Sequence, residues 1–130
     1  MDVNLFACVV TPSAEDVITT PAAAMTGLAA PSRGSAELST WQVRMEPGSA
    51  GPEHVIDREQ VWMLTAGSIE VTAGGRTETV AAGQTVVVPA GVLRQFRTGG
   101  EPAEALVAMS ASGRASVPGG GESRPLPWAE

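Results

Sequence analysis

The chain has 130 residues, 43% of them apolar and 17% charged, and a net charge of −6, which suits one soluble globular domain with a single core. Its eight basic residues are all arginines scattered along the sequence, so no basic stripe can follow a phosphate backbone, and no apolar run approaches the ~20 residues of a membrane helix. Nucleic-acid and membrane partners are therefore not expected, and the lone Cys8 excludes an internal disulfide and a multi-cysteine zinc site.

At the N-terminus an aspartate stands where a secretory leader would be basic, so a cytoplasmic protein is expected. Residues 3–10 are predicted to form a first strand, with Cys8 as a small buried hydrophobe in it. Residues 14–35 are small and polar, broken by Pro21, Gly27, Pro31 and Gly34, and predict irregular chain with short strands near 16–20 and 25–29. From Ala36 to Met45 the alternation sharpens: Ser39, Trp41, Val43 and Met45 share one face, which predicts the inner side of a strand. After the turn from Pro47 to Pro52, His54 and Ile56 project from one side of an extended segment. Asp57-Arg58-Glu59 interrupts it, and Gln60, Trp62 and Leu64 resume a one-faced pattern whose parity cannot be carried across the break.

Gly67 ends that strand, and Gly74-Gly75 marks a tight hairpin between strands at 68–73 and 76–81. Strands at 84–88, 92–98 and 103–110 follow, separated by Pro89-Ala90-Gly91 and Gly99-Gly100. Short strands at spacings of roughly ten residues argue for an antiparallel sandwich or barrel, with no longer repeat. Residues 111–123 are rich in Gly, Ser and Pro, whereas Pro125-Leu126-Pro127-Trp128 can fold back as an apolar clasp. The expected organisation is an arm over 1–35, a barrel over 36–110 and a flexible tail over 111–130.

Two blocks carry the chemistry. One runs from Pro47-Gly48 through His54, the sole histidine, to Gly67; the other runs from Gly83 through Pro89 and Gly91 to Arg97. Together they resemble the two motifs of the cupin superfamily over residues 36–110, which implies an all-β, single-domain fold, an antiparallel jelly-roll β-barrel. The family's first motif supplies two histidines one residue apart and then a glutamate, and its second supplies a third histidine. His54 matches the first histidine, Ile56 stands at the second, Gln60 at the glutamate and Arg94 at the third histidine. Isoleucine has no donor atom, an amide oxygen is a weak ligand, and a guanidinium repels a cation. Iron and catalytic zinc sites use three protein donors, so the resemblance implies a barrel without its metal, and no metal or cofactor is expected.

A pocket retained without the metal would present His54, Gln60, Arg94 and Trp62, a set suited to a planar or anionic small molecule. Arg94 would clamp a carboxylate, phenolate or enolate oxygen and stabilise developing negative charge. Trp62, with Trp41 or Phe96, would stack on a ring, and Ile56 would complete the wall. His54 would act as general base or acid, oriented by Asp57 or Glu59. The expected chemistry is proton transfer (isomerisation, cyclisation, dehydration or elimination) on a small aromatic or polyketide-like biosynthetic metabolite. Two other readings stay open: a small-molecule-binding module without catalysis, and a metal-dependent oxygenase or isomerase with atypical ligands such as Glu53, Asp57 and Glu59. Each residue also has a plainer role, Arg94 as an ion-pair member at the barrel mouth and Asp57 and Glu59 as solvated turn residues. By analogy with small cupins, an apolar first strand would pair two copies into a homodimer.

Overall fold

The computed structural model describes residues 6–130. Glycine and proline punctuate the sequence too often for a helix to propagate, and among the described residues the only helical pieces are 3-10 turns at Ala14–Asp16, Pro31–Arg33 and Pro127–Ala129. The strands are β1 (Val17–Thr19), β2 (Ala24–Gly27), β3 (Leu38–Met45), β4 (Val55–Ile56), β5 (Gln60–Ala66) and β6 (Ser68–Ala73). They continue with β7 (Arg76–Ala81), β8 (Thr85–Val88), β9 (Arg94–Arg97), β10 (Ala103–Ser110), β11 (Arg114–Ser116) and β12 (Arg124–Pro125).

A six-stranded sheet in the order β1-β2-β3-β10-β5-β8 forms one layer, and two three-stranded sheets, β7-β6-β9 and β12-β11-β4, supply the other. Every pairing is antiparallel. Isolated bridges Ala50↔Arg97 and His54↔Arg94 join β9 to the chain entering β4, so the two small sheets act as one layer. This is a jelly-roll arrangement, an all-β fold of the expected class.

Alternation along the strands decides what lies between the layers. In β3 the buried set is Ser39, Trp41, Val43 and Met45, the face read from the sequence. In β10 it is Ala103, Ala105, Val107 and Met109, and in β5 Gln60, Trp62 and Leu64. Register places Val107 between Trp41 and Trp62, so the smaller valine separates the two indoles. From the second layer Ile56, Ile69, Val71, Val80 and Phe96 close the same core.

Two ends of the chain differ from their sequence reading. Of the proposed first strand, residues 3–5 lie outside the described residues, and residues 6–10 form no strand: Phe6, Cys8 and Val9 are exposed. Among the described residues β1 is the edge of its sheet, and its outer side takes up no further strand. Residues 111–130 carry β11, which pairs Ala115 with Ile56 and Ser116 with Val55, and β12 beside it. Leu126 and Ala129 are buried in the core, and the buried Ser39 hydroxyl donates to the Ala129 carbonyl at 2.6 Å. Much of the Gly, Ser and Pro content that suggested flexibility, from Pro118 to Ser123, lies in the loop at 117–123 between these strands.

Gly67 makes the turn from β5 to β6 at φ +67, and a Cβ there would collide with the Pro102 carbonyl oxygen. Both the left-handed backbone and the contact require glycine. Gly67→Ala is expected to lower the unfolding free energy by about 2 kcal/mol or more, measured by chemical denaturation.

Candidate active site

A cavity of about 660 Å³ opens between the layers. β3 contributes Trp41, Val43 and Met45, β5 contributes Gln60 and Trp62, and β9 contributes Phe96. His54 and Ile56 enter from the second layer. The walls are mostly apolar, and among the described residues that line them His54 is the sole ionisable side chain.

Aromatic rings set the cavity's shape. Trp62 and Phe96, from opposite layers, stack face to face with centroids 4.0 Å apart and planes at 18°, so each ring covers one face of the other. The His54 ring lies 6.2 Å from Phe96, tilted by 45°. On another side Trp41 meets Trp128 at 6.5 Å and 59°.

His54 is fixed through both backbone and side chain. Its N–H donates to the Arg94 carbonyl at 3.0 Å, and the Arg94 N–H returns a bond of 2.9 Å to the His54 carbonyl. Nδ1 lies 2.9 Å from the Pro52 carbonyl oxygen, which can only accept, so Nδ1 carries the proton and Nε2 keeps its lone pair. Burial pushes the imidazole below its ordinary value of 6.5; the Pro52 bond opposes that shift and the Arg94 charge adds to it. His54 is therefore neutral at pH 7, a base with its acceptor nitrogen available.

Arg94 is placed differently from the sequence reading. It is 1% exposed and does not line the cavity. Nε donates to the Val92 carbonyl at 3.0 Å, one terminal nitrogen to the Pro89 carbonyl at 2.9 Å, and the other to Gln60 Oε1 at 3.3 Å. Three of its five N–H donors are thus engaged, two of them on carbonyls outside the cavity lining, and the guanidinium lies behind the wall and not in the cavity. No carboxylate among the described residues forms an ion pair with it, so it is not a salt-bridge member at the barrel mouth either. Burial lowers its pKa to about 10, which leaves the guanidinium charged at neutral pH.

Asp57 and Glu59 are exposed and lie away from the cavity. Asp57 accepts the Arg114 backbone N–H at 2.7 Å and sits 3.5 Å from the Arg58 guanidinium, thereby anchoring β11. The orienting partner of His54 is the Pro52 carbonyl, and neither carboxylate fills that place. By contrast Gln60, Trp62, Trp41, Phe96 and Ile56 all line the cavity. Gln60 Oε1 accepts from the Trp62 indole N–H at 3.3 Å as well as from Arg94. Lining residues not singled out from the sequence come from remote segments, notably Met25 on β2 and Leu126 and Trp128 near the C-terminus. For Leu126 and Trp128 the apolar Pro-Leu-Pro-Trp string was the one signal.

With the geometry in place, the family can be stated. The family model of the cupin domain matches residues 41–109, more than half of the chain. This chain is a cupin. No curated protein matches its sequence. Among solved structures, the cupin is similar to the polyketide cyclase RemF from Streptomyces resistomycificus, with 20% identity over 90% of this chain and 80% of that one, at a TM-score of 0.68. KdgF from Halomonas sp. matches at 18% identity over 73% of this chain and 84% of that one, with a TM-score of 0.64. A sugar phosphate isomerase of the cupin superfamily from Silicibacter pomeroyi matches at 22% identity over 72% and 65% of the respective chains, with a TM-score of 0.61. At these identities the likeness is one of fold.

The cupin's residues do not fit the metal that the family's motifs hold. Its four motif positions offer one imidazole, an isoleucine, an amide and a buried cation, and the amide oxygen already accepts two hydrogen bonds. Among the described residues no three His, Cys, Asp or Glu side chains come together.

The depressed value for His54 gives a signed expectation. Because the folded imidazole resists protonation, folding stability is fully present above pH ~6.5 and declines as pH falls through the folded-state pKa. A single imidazole NMR titration should place His54 below 6.5, and His54→Asn should lose this part of the acid-side slope in denaturation midpoints.

Proposed function

We propose that this cupin is a metal-independent enzyme that moves a proton on a small, flat, aromatic or polyketide-like biosynthetic metabolite. The observation that carries the reading is a neutral imidazole, with Nε2 available, in a mostly apolar cavity rich in aromatic rings. The rings of Trp62, Phe96 and Trp41 favour a ligand with extended π faces. A sugar-like ligand would surrender its hydration to walls that return few hydrogen bonds. An anionic one would meet no cation, since Arg94 stands behind the wall, so the ligand is neutral.

His54 Nε2 takes a proton from an acidic carbon or hydroxyl of the bound metabolite. Burial disfavours the resulting imidazolium, so the proton returns readily to another atom of the same molecule or to a departing hydroxyl. Alternation of base and acid at one nitrogen suits isomerisation, cyclisation, dehydration or elimination. That a polyketide cyclase shares the fold at 20% identity gives the substrate class a precedent. The proposal includes a cytoplasmic homodimer, supported by Met63, Val87 and Leu106 standing exposed on the outer face of the six-stranded sheet; light scattering reporting a monomer at micromolar concentration would remove that part.

The test is a screen of neutral polycyclic and poly-keto compounds, with binding read from tryptophan fluorescence and turnover by mass spectrometry. His54→Gln should lower turnover by roughly 10²- to 10⁴-fold while leaving affinity within a few-fold. For the wild type, kcat/KM should fall on the acid side with a pKa below 6.5. Tight binding with no turnover of any bound compound would instead make the barrel a non-catalytic binding module.

A further inference from the structure

Arg94 is the buried titratable group for which the proposed proton transfer has no direct use. A cation buried without a carboxylate partner is costly unless hydrogen bonds or function compensate it. Two of its three hydrogen bonds end on main-chain carbonyls of the Pro89–Val92 turn, and the third ends on the Gln60 side chain. Gln60, unlike Arg94, is part of the cavity wall.

The Gln60 carboxamide has one orientation open to it. Its oxygen faces two groups that can only donate, the Arg94 guanidinium at 3.3 Å and the Trp62 indole N–H at 3.3 Å. Placing the NH₂ there would set donor against donor. The NH₂ must therefore take the other side, where its one partner among the described residues is the weakly accepting Met109 sulfur at 3.7 Å. Gln60 is 3% exposed, so this amide brings two N–H donors into a dry environment with no oxygen acceptor among the described residues. A cation on the carbonyl side draws electron density through the conjugated amide and strengthens those donors.

We infer that Arg94 is a positioning residue, which from behind the cavity wall fixes and polarises the Gln60 amide so that Nε2–H donates to a carbonyl or phenolic oxygen of the ligand. This rests on the aromatic-ligand reading above and adds its polar determinant: an oxygen substituent on a flat apolar body lying against Trp62. In the proton transfer from carbon to His54, that oxygen is where negative charge collects.

Of the charged groups near His54, Arg94 is the one whose charge bears on the imidazole. Arg97 on β9 reaches Thr72, Arg114 on β11 binds Ser123, Asp57 accepts the Arg114 N–H, Arg58 lies against Asp57, and Glu53 is exposed. Removing the Arg94 charge should therefore raise the His54 pKa.

The test pairs 2-acetonaphthone with 2-ethylnaphthalene, alike in shape except for the carbonyl, in titration calorimetry on the full chain, with the His54 imidazole followed by NMR. The wild type should prefer the ketone by ~10-fold or more. Gln60→Met should bring the ratio near one, and Arg94→Met should bring it towards one while raising the His54 pKa. Should Arg94→Met fail to fold, Gln60→Glu decides: its carboxylate gives Arg94 a counter-ion, so the denaturation midpoint should hold or rise, while the ketone preference disappears. A wild type that binds both probes equally, or a folded Arg94→Met or Gln60→Glu that keeps the preference, overturns the inference and leaves the aromatic cavity intact. Neither probe binding the wild type overturns the aromatic-ligand reading and this inference with it.

Discussion

The site depends on a reciprocal pair of backbone hydrogen bonds between His54 and Arg94, which lie far apart in sequence. Those bonds set the chain before β4 against β9, and a third, from the Gly91 N–H to the Ile56 carbonyl, continues the seam at 2.8 Å. The seam brings the two motif blocks of the sequence into one wall and carries the second layer across from β9 to β4 and β11. The His54 imidazole and the Phe96 ring face the same cavity because their strands are locked in this register. A slip of one residue would turn one of them outward.

Much of this was legible in the sequence because strand parity is a strong signal wherever one face is buried. Trp41, Val43 and Met45 were separable from Gln42 and Arg44 by alternation alone, and so were Gln60, Trp62 and Leu64. The bend at Asp57–Glu59 hid the relation between His54 and Gln60, since parity cannot pass an irregular segment; the fold returns both to one cavity. The motif resemblance supplied that relation before the geometry did.

What stayed hidden concerns the destinations of long or charged side chains. Alternation puts Arg94 and Phe96 on the same side of β9, yet the ring reaches the cavity and the guanidinium ends among the carbonyls of the preceding turn. Strand position fixes where a Cβ points, but an arginine has four further torsions over which to choose its partners. Asp57 and Glu59 were candidates by nearness in sequence, whereas a bend between short strands sends such residues to solvent or to a neighbouring backbone. Trp128, distant from everything it touches, had only its apolar neighbours to mark it.

The wall formed by Leu126 and Trp128 has a consequence for assembly of the molecule. The cavity is enclosed by β2 and β3 from the first third of the chain, by His54 and Phe96 from the middle, and by the segment after β12. No local portion of the polypeptide contains it, so a partly folded chain has nothing for a ligand to recognise. Ligand and complete native packing are thereby thermodynamically linked, and a bound metabolite shifts the folding equilibrium by mass action in proportion to the logarithm of its concentration above Kd. The abundance of intact protein would then follow the supply of its own ligand.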